Sequence, residues 1–332
     1  MTPSTGLRTH IWNNNLKSLA LLAGFPVLLV LLAFAGSVLF NAVALEAGTI
    51  ADALSRSARA LPAILPFALA GAGLWFVIAW FGHQAMIDAM TGARAVSRTG
   101  EPELYNLLEN LCISRGLAMP HLRIIETKAR NAYASGLREG QYSVTVTRGL
   151  LESLERDEIE AVLAHELSHI RHNDVRLLVI SVIFVGIISV VAEILARGLL
   201  RGSLSRVGGA RRGRGGNAAV LILIGLAIVA LAYVLAIVIR FALSRRREFM
   251  ADAGAVELTK NPDAMIRALQ KISAAPEIAK APKELRAMFL YDRETGFAGL
   301  MATHPPIEAR IEALVRYGGG RAEPPSGSVP AV

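Results

Sequence analysis

Three of the chain's seven histidines fall within eight residues, in the stretch EAVLAHELSHIRHND at 160–174. His165 and His169 are four apart, so on a helix they sit one turn apart on one face and can share an ion. Glu166 follows the first of them, displaced by about 100° around the helix axis. From there its carboxylate reaches a water beside the ion without being a ligand. This is H-E-x-x-H, the pattern in which a glutamate serves as base for a zinc-activated water. The competing reading is a polar helix face carrying three unrelated histidines. His172, three residues past His169, has no glutamate in the base position of that second pair. It reads as a polar residue near the helix end, favourable against the helix dipole.

Catalytic zinc usually keeps three protein ligands and one open position, so a third ligand has to come from elsewhere. In RFALSRRREFMADAGAVEL, residues 240–258, Glu248 and Asp252 are again four apart on an expected helix. That spacing suits a ligand and a carboxylate that orients a ligating imidazole. It also suits a plain surface charge pair after a basic run. His169 lies eight residues before one apolar run and Glu248 nine residues after another. If both stems stay helical, a rise of 1.5 Å per residue puts both about 12–14 Å above one membrane surface. The metal helix is then expected to continue directly into the bilayer.

The elements around these residues follow from pattern. Asp157 with Glu160 is expected to cap the metal helix, and Ile159, Val162, Leu163, Leu167 and Ile170 give that helix an apolar face. HLRIIE (121–126) and YSVTVT (142–147) read as short strands, with NAYASG (131–136) a turn or strand edge between them. Four apolar runs are candidate spans: 18–45, 60–82, 177–192 and 215–239. About 20 apolar residues cross a bilayer, so 177–192 is marginal. A secretory signal is the alternative for the first run, but its length and the lack of a cleavage site count against it. The order is a tail with two spans (1–82), a first polar region (83–176), a hairpin with an Arg/Gly-rich loop (177–239), a second polar region (240–318), and a Gly/Pro/Ser-rich tail (319–332) expected to be disordered. The two polar regions together are long enough for one α+β domain. The net charge of +8 sits at the ends of apolar runs, which fits a lipid bilayer rather than nucleic acid. The single cysteine, Cys112, cannot form an internal disulfide and reads as a packing residue. No repeat of fixed period is present.

HELSH, REFMAD and four apolar runs in this order make the chain resemble the HtpX-type membrane zinc metalloproteases, and more distantly the CAAX prenyl protease. NAYASG followed by VTVTRGLL, and THPPIEARI at 303–311, match further segments of that family. The resemblance runs from the first apolar run to about residue 318. It implies an α+β, mostly helical, multi-pass membrane protein with a zincin-type catalytic domain carrying a small β-sheet. It implies one Zn2+ per chain on His165, His169 and Glu248, with Glu166 as catalytic base. It further implies a bacterial inner-membrane location, a site facing the cytoplasm, and damaged or misfolded membrane proteins as substrates. It places His304 near the zinc, where an imidazole could donate to an oxyanion; the alternative is a loop histidine capping a helix. Arg310 could brace the site through a carboxylate. The Arg/Gly-rich loop and the Pro-rich tail depart from the family pattern.

A substrate in extended form could add to a sheet edge near 131–147, since strand addition grips backbone without demanding sequence. Asn131 is then a candidate substrate-binding residue, or else an ordinary turn residue. Three other functions compete. One is a processing protease with a single membrane or lipidated partner. A zinc-stabilised membrane scaffold is disfavoured by the intact Glu166. A transporter is disfavoured by apolar runs with almost no polar residues. Charge does not settle direction across the membrane, because the loop 197–217 carries Arg197, Arg201, Arg206, Arg211, Arg212 and Arg214.

Overall fold

The computed structural model describes residues 7–44, 49–183, 186, 191, 193–194, 197, 215–241, 245–274, 289–290 and 305–321. These residues are mostly helical and carry one small mixed sheet. They fall into two units. One comprises residues 1–16, 82–180 and 241–332, the other 17–81 and 181–240.

The first unit is built on four strands: β1 (Arg94–Ala95), β2 (His121–Ile125), β3 (Ala132–Ser135) and β4 (Ser143–Thr147), in spatial order β1-β2-β4-β3. β2 and β4 are parallel, and the outer pairings are antiparallel. Hence NAYASG supplies an edge strand, while YSVTVT is central with every residue of β4 buried. Helix α3 (Pro102–Arg115) and the short α4 (Arg148–Ser153) flank the sheet. Helix α5 (Arg156–Arg171) buries Val162, Leu163 and Leu167 in the main core with Leu108, Ile124 and Val146. Its N-terminus is capped by Glu155 with Glu158, two residues earlier than the expected Asp157–Glu160 pair. The reason is burial. Glu158 is fully buried and held by Arg267 and Lys271, so it can turn back to the Glu155 N–H at 2.8 Å.

α5 does not run straight on, as a continuous metal helix would require. His172 caps it, Asn173 adopts φ 59°, and a new helix, α6, starts at 174 and is described as far as 183. Asparagine tolerates this left-handed conformation, so the chain turns where the pattern alone suggested a rod. Helices α8 (Arg245–Thr259), α9 (Pro262–Ser273) and α10 (Ile307–Gly318) complete the unit. α8 packs along α5 so closely that a Cβ on Gly254 would stand 2.8 Å from the Ser168 Cβ.

The second unit holds most of α1 (Leu7–Ala44), of α2 (Ile50–Thr91) and of α7 (Gly215–Phe241). α2 is long and apolar enough to cross a membrane; 26–42 and 219–235 are shorter apolar stretches. Of the run 177–192, residues 177–183, 186 and 191 are described and helical, and the others lie outside the described residues. Within this unit Leu28 and Leu32 pack on Ala232, and Val38 and Ala42 on Leu221 and Ala53. α2 extends past its apolar run into the first unit. There Gln84 accepts a hydrogen bond from Ser135 Oγ at 2.7 Å, Asp88 pairs with Arg123, and the Thr91 and Tyr133 hydroxyls meet at 3.2 Å.

Candidate metal centre

His165 and His169 project from one face of α5 towards α8, which brings in Glu248. The two Nε2 atoms stand 3.1 Å apart. Glu248 oxygens lie 3.7 Å from His165 Nε2 and 3.6 Å from His169 Nε2. A tetrahedral ion with ligand bonds of ~2.0–2.2 Å sets its ligands about 3.4 Å apart, so this donor set fits zinc without rearrangement. His172 lies outside the cluster and serves as helix cap.

The imidazoles are aimed from behind. His169 Nδ1 donates to Asp174 Oδ2 at 3.1 Å. His165 Nδ1 stands 3.0 Å from Asp252 Oδ1, at an angle too oblique for a straight hydrogen bond. Asp252 is in turn clamped by Arg310, whose Nε and Nη2 donate to its two oxygens at 2.9 and 2.6 Å. The buried Arg310 also reaches Leu290 O at 3.1 Å and lies 3.5 Å from Glu248. The structure thus places Asp252 behind His165 and Arg310 on Asp252. Asp174 was missed by sequence reasoning. The available signal was the Asn173–Asp174 pair at the helix end, a turn combination that sends the chain back towards its own last histidine.

Charge supports the same reading. Glu166, Asp174, Glu248 and Asp252 are buried carboxylates, and Arg247 and Arg310 are the buried guanidiniums beside them. Two negative charges remain in excess, the charge a divalent cation neutralises. The protein's own response is visible in the titrating groups. Burial, aided by the Glu248 charge, pushes Glu166 up to about 7. Burial alone would lower His169, but the Asp174 hydrogen bond and the Glu248 charge outweigh it and raise that group. Burial holds His165 down at about 4, so its imidazole is neutral and available as a ligand. Burial would raise Asp252, yet Arg310 keeps it below its usual range.

Glu166 does not join the ligand cluster. The Ala134 backbone N–H beside it favours its carboxylate form, at the outer edge of β3. The neighbouring acceptor on that edge, Ala132 O, is taken by Leu290 N–H at 2.8 Å. Asn131 is buried just before the strand; its Oδ1 accepts from Ala132 N at 3.0 Å, and its backbone pairs with Thr147. His304 lies outside the described residues.

A buried pair of helix-borne histidines, a carboxylate from a second helix, and a glutamate held against a sheet edge together define a metallopeptidase. The profile of "Peptidase family M48" matches residues 99–317, and the chain belongs to that family. It is 40% identical to a protease HtpX homolog of Bacteroides fragilis over 94% of this chain and 99% of that one. It is 37% identical to a protease HtpX homolog of Listeria monocytogenes over 72% of this chain and 82% of that one. Among solved structures, S. mikatae Ste24p aligns at 19% identity with a TM-score of 0.41, over 76% of this chain and 56% of that chain.

Proposed function

We propose that this chain is a membrane-embedded zinc endopeptidase of the bacterial inner membrane, with its site towards the cytoplasm, that cuts damaged or misfolded membrane proteins. The observation that carries the reading is the convergence of His165, His169 and Glu248 within 3.1–3.7 Å, with Glu166 beside it at the outer edge of β3. Zinc held by those three residues would supply Lewis acidity to a scissile carbonyl and to a water. Glu166 accepts the water's proton and returns it to the leaving amine, a role that burial suits by keeping its basicity near neutral. Asp174 and Asp252 hold the rings so that both Nε2 atoms face the site. Asn131 fixes the start of β3, and a substrate backbone adds as a further strand by displacing the Leu290 N–H that holds Ala132 O. His304 donates to the oxyanion.

Glu166→Gln tests this most directly. Proteolysis of unfolded membrane proteins should fall by roughly 10²–10⁴-fold, the share of a general base, with one zinc per chain retained. Loss of zinc, or near-normal turnover, would overturn the role. His304→Ala should slow turnover with zinc retained; unchanged turnover would leave His304 a helix-capping residue. The same Glu166→Gln protein is a substrate trap. Capture of many unrelated membrane proteins supports quality control, whereas capture of one lipidated or signalling partner makes the chain a processing protease.

A further inference from the structure

Between α1 and α2 lies a slot of about 870 Å³, wholly within the second unit. Its lining is graded. At one end stand Ser37, Asn41 and Arg56, brought to a common level because Asn41 Nδ2 donates to Ser57 Oγ at 2.9 Å. From Ile64 to Trp75 the α2 wall is apolar save for the buried Trp75 Nε1, which has no hydrogen-bond partner among the described residues, and it is faced by Leu29 and Leu32 of α1. Those eleven steps of helix rise about 16 Å, close to one leaflet's share of the ~30 Å hydrocarbon core. Phe40 and Phe67, both largely exposed, stand at its rim.

Two features of the polar end specify a ligand. Among the described residues of the lining Arg56 is the charged one and none is acidic; its acidic neighbour, Asp52, lies one turn before it on α2, outside the lining. Asn41 is 4% exposed, and its Oδ1 has no hydrogen-bond partner among the described residues. A buried acceptor without a donor is costly, so the missing group is a donor. The slot therefore asks for an anion beside Arg56, a hydroxyl beside Asn41, and a chain of methylenes below them.

We infer that the α1–α2 slot binds one phosphatidylglycerol molecule, its phosphate on Arg56, a head-group hydroxyl donating to Asn41 Oδ1, and one acyl chain lying along Ile64–Trp75. Phosphatidylcholine offers no head-group donor. Phosphatidylethanolamine brings an ammonium that the lining meets with no carboxylate. The inference rests on the membrane-embedded reading. It makes this unit a specific lipid site rather than a passive anchor.

The test is native mass spectrometry of the full-length protein taken from bilayers of equal parts phosphatidylglycerol, phosphatidylethanolamine and phosphatidylcholine. One phosphatidylglycerol per chain should survive, in preference to the other two. Arg56→Gln and Asn41→Leu should each reduce its retention by about tenfold or more, the scale of a hydrogen bond to a charged group. Asn41→Leu also removes the bond to Ser57, so Gly71→Phe provides a control. A Cβ at Gly71 meets no atom within 4 Å, so the added ring enters the slot and should expel every lipid while leaving peptidase activity in place. Equal retention of the three lipids overturns the assignment, as does retention of phosphatidylglycerol by Gly71→Phe, or a peptide or second copy of the chain in the slot. A chain soluble without detergent would sink the membrane reading and this inference together. A chain that needs detergent but carries no phosphatidylglycerol sinks the inference alone.

Discussion

At His165 and His169 the carboxylate behind each ring decides which nitrogen would face a metal. Asp174 grips one Nδ1 at 3.1 Å and Asp252 stands 3.0 Å from the other. Converting either to the amide keeps the shape and removes the charge. Asp174→Asn and Asp252→Asn should each weaken zinc binding or activity by ~10–100-fold, read by competition with a chromogenic chelator. Glu248→Ala removes a ligand and should cost more than either. If Asp174→Asn binds zinc as tightly as the parent, that carboxylate only anchors the turn after α5. If Glu248→Ala keeps its metal while Asp252→Asn loses it, the ligand has been placed on the wrong carboxylate. At this scale the sequence was readable where chemistry and period coincide. H-E-x-x-H and Glu248–Asp252 are local patterns, because residues four apart on a helix share a face. Asp174 lies across a backbone turn at the left-handed Asn173, so the Asn173–Asp174 pair signalled the turn but not the residue it returns to. The bidentate grip of Arg310 on Asp252 spans 58 residues, and no local period encodes such a pairing.

Among the elements, α5 and α8 do most to fix the candidate centre, since one carries His165 and His169 and the other Glu248. Their spacing is set where Gly254 meets Ser168: an added Cβ would lie 2.3 Å from Ser168 Oγ and 2.8 Å from its Cβ. Rotating the serine cannot relieve the second contact, so α8 must move. Gly254→Ala should therefore lower zinc affinity and the unfolding midpoint together. Adding Ser168→Gly should restore both, because it removes the clashing atoms. A double variant no better than the single would show that Gly254 matters for some other reason. The strands were legible from alternation and apolar content. Their order was not: β4 lies between β2 and β3, and only pairing identifies NAYASG as the edge. The break after α5 falls in the polar RHND, just before the apolar run that begins at 177, where no apolar period marks it.

For the molecule as a whole, Cys112 offers a silent background. It is 1% exposed, and burial pushes its thiol from 9.0 up to about 11. Folded protein should resist thiol reagents at neutral pH and react once unfolded. The unfolded chain ionises this thiol more readily than the folded one, so its contribution to stability is constant below pH 9 and declines as pH rises from 9 towards 11. Rapid labelling of the native protein at pH 7 would contradict this. Because Cys112 is quiet, single added cysteines can report topology. Gly208→Cys should label from outside the inner membrane and Glu139→Cys should not; Leu150 is fully buried and would be protected in any arrangement. Labelling of Glu139→Cys from outside would reverse the orientation, and protection of both would mean a hairpin that does not cross. The guanidinium of Arg310 has one further effect. It joins α10 to Asp252 and Glu248 on α8, and to the backbone at Leu290. Metal loading and the docking of α10 are therefore steps of one thermodynamic cycle, and each must favour the other. Stripping the metal with a chelator should make α10 the first segment that trypsin removes, and cleavage there should in turn release metal from the enzyme.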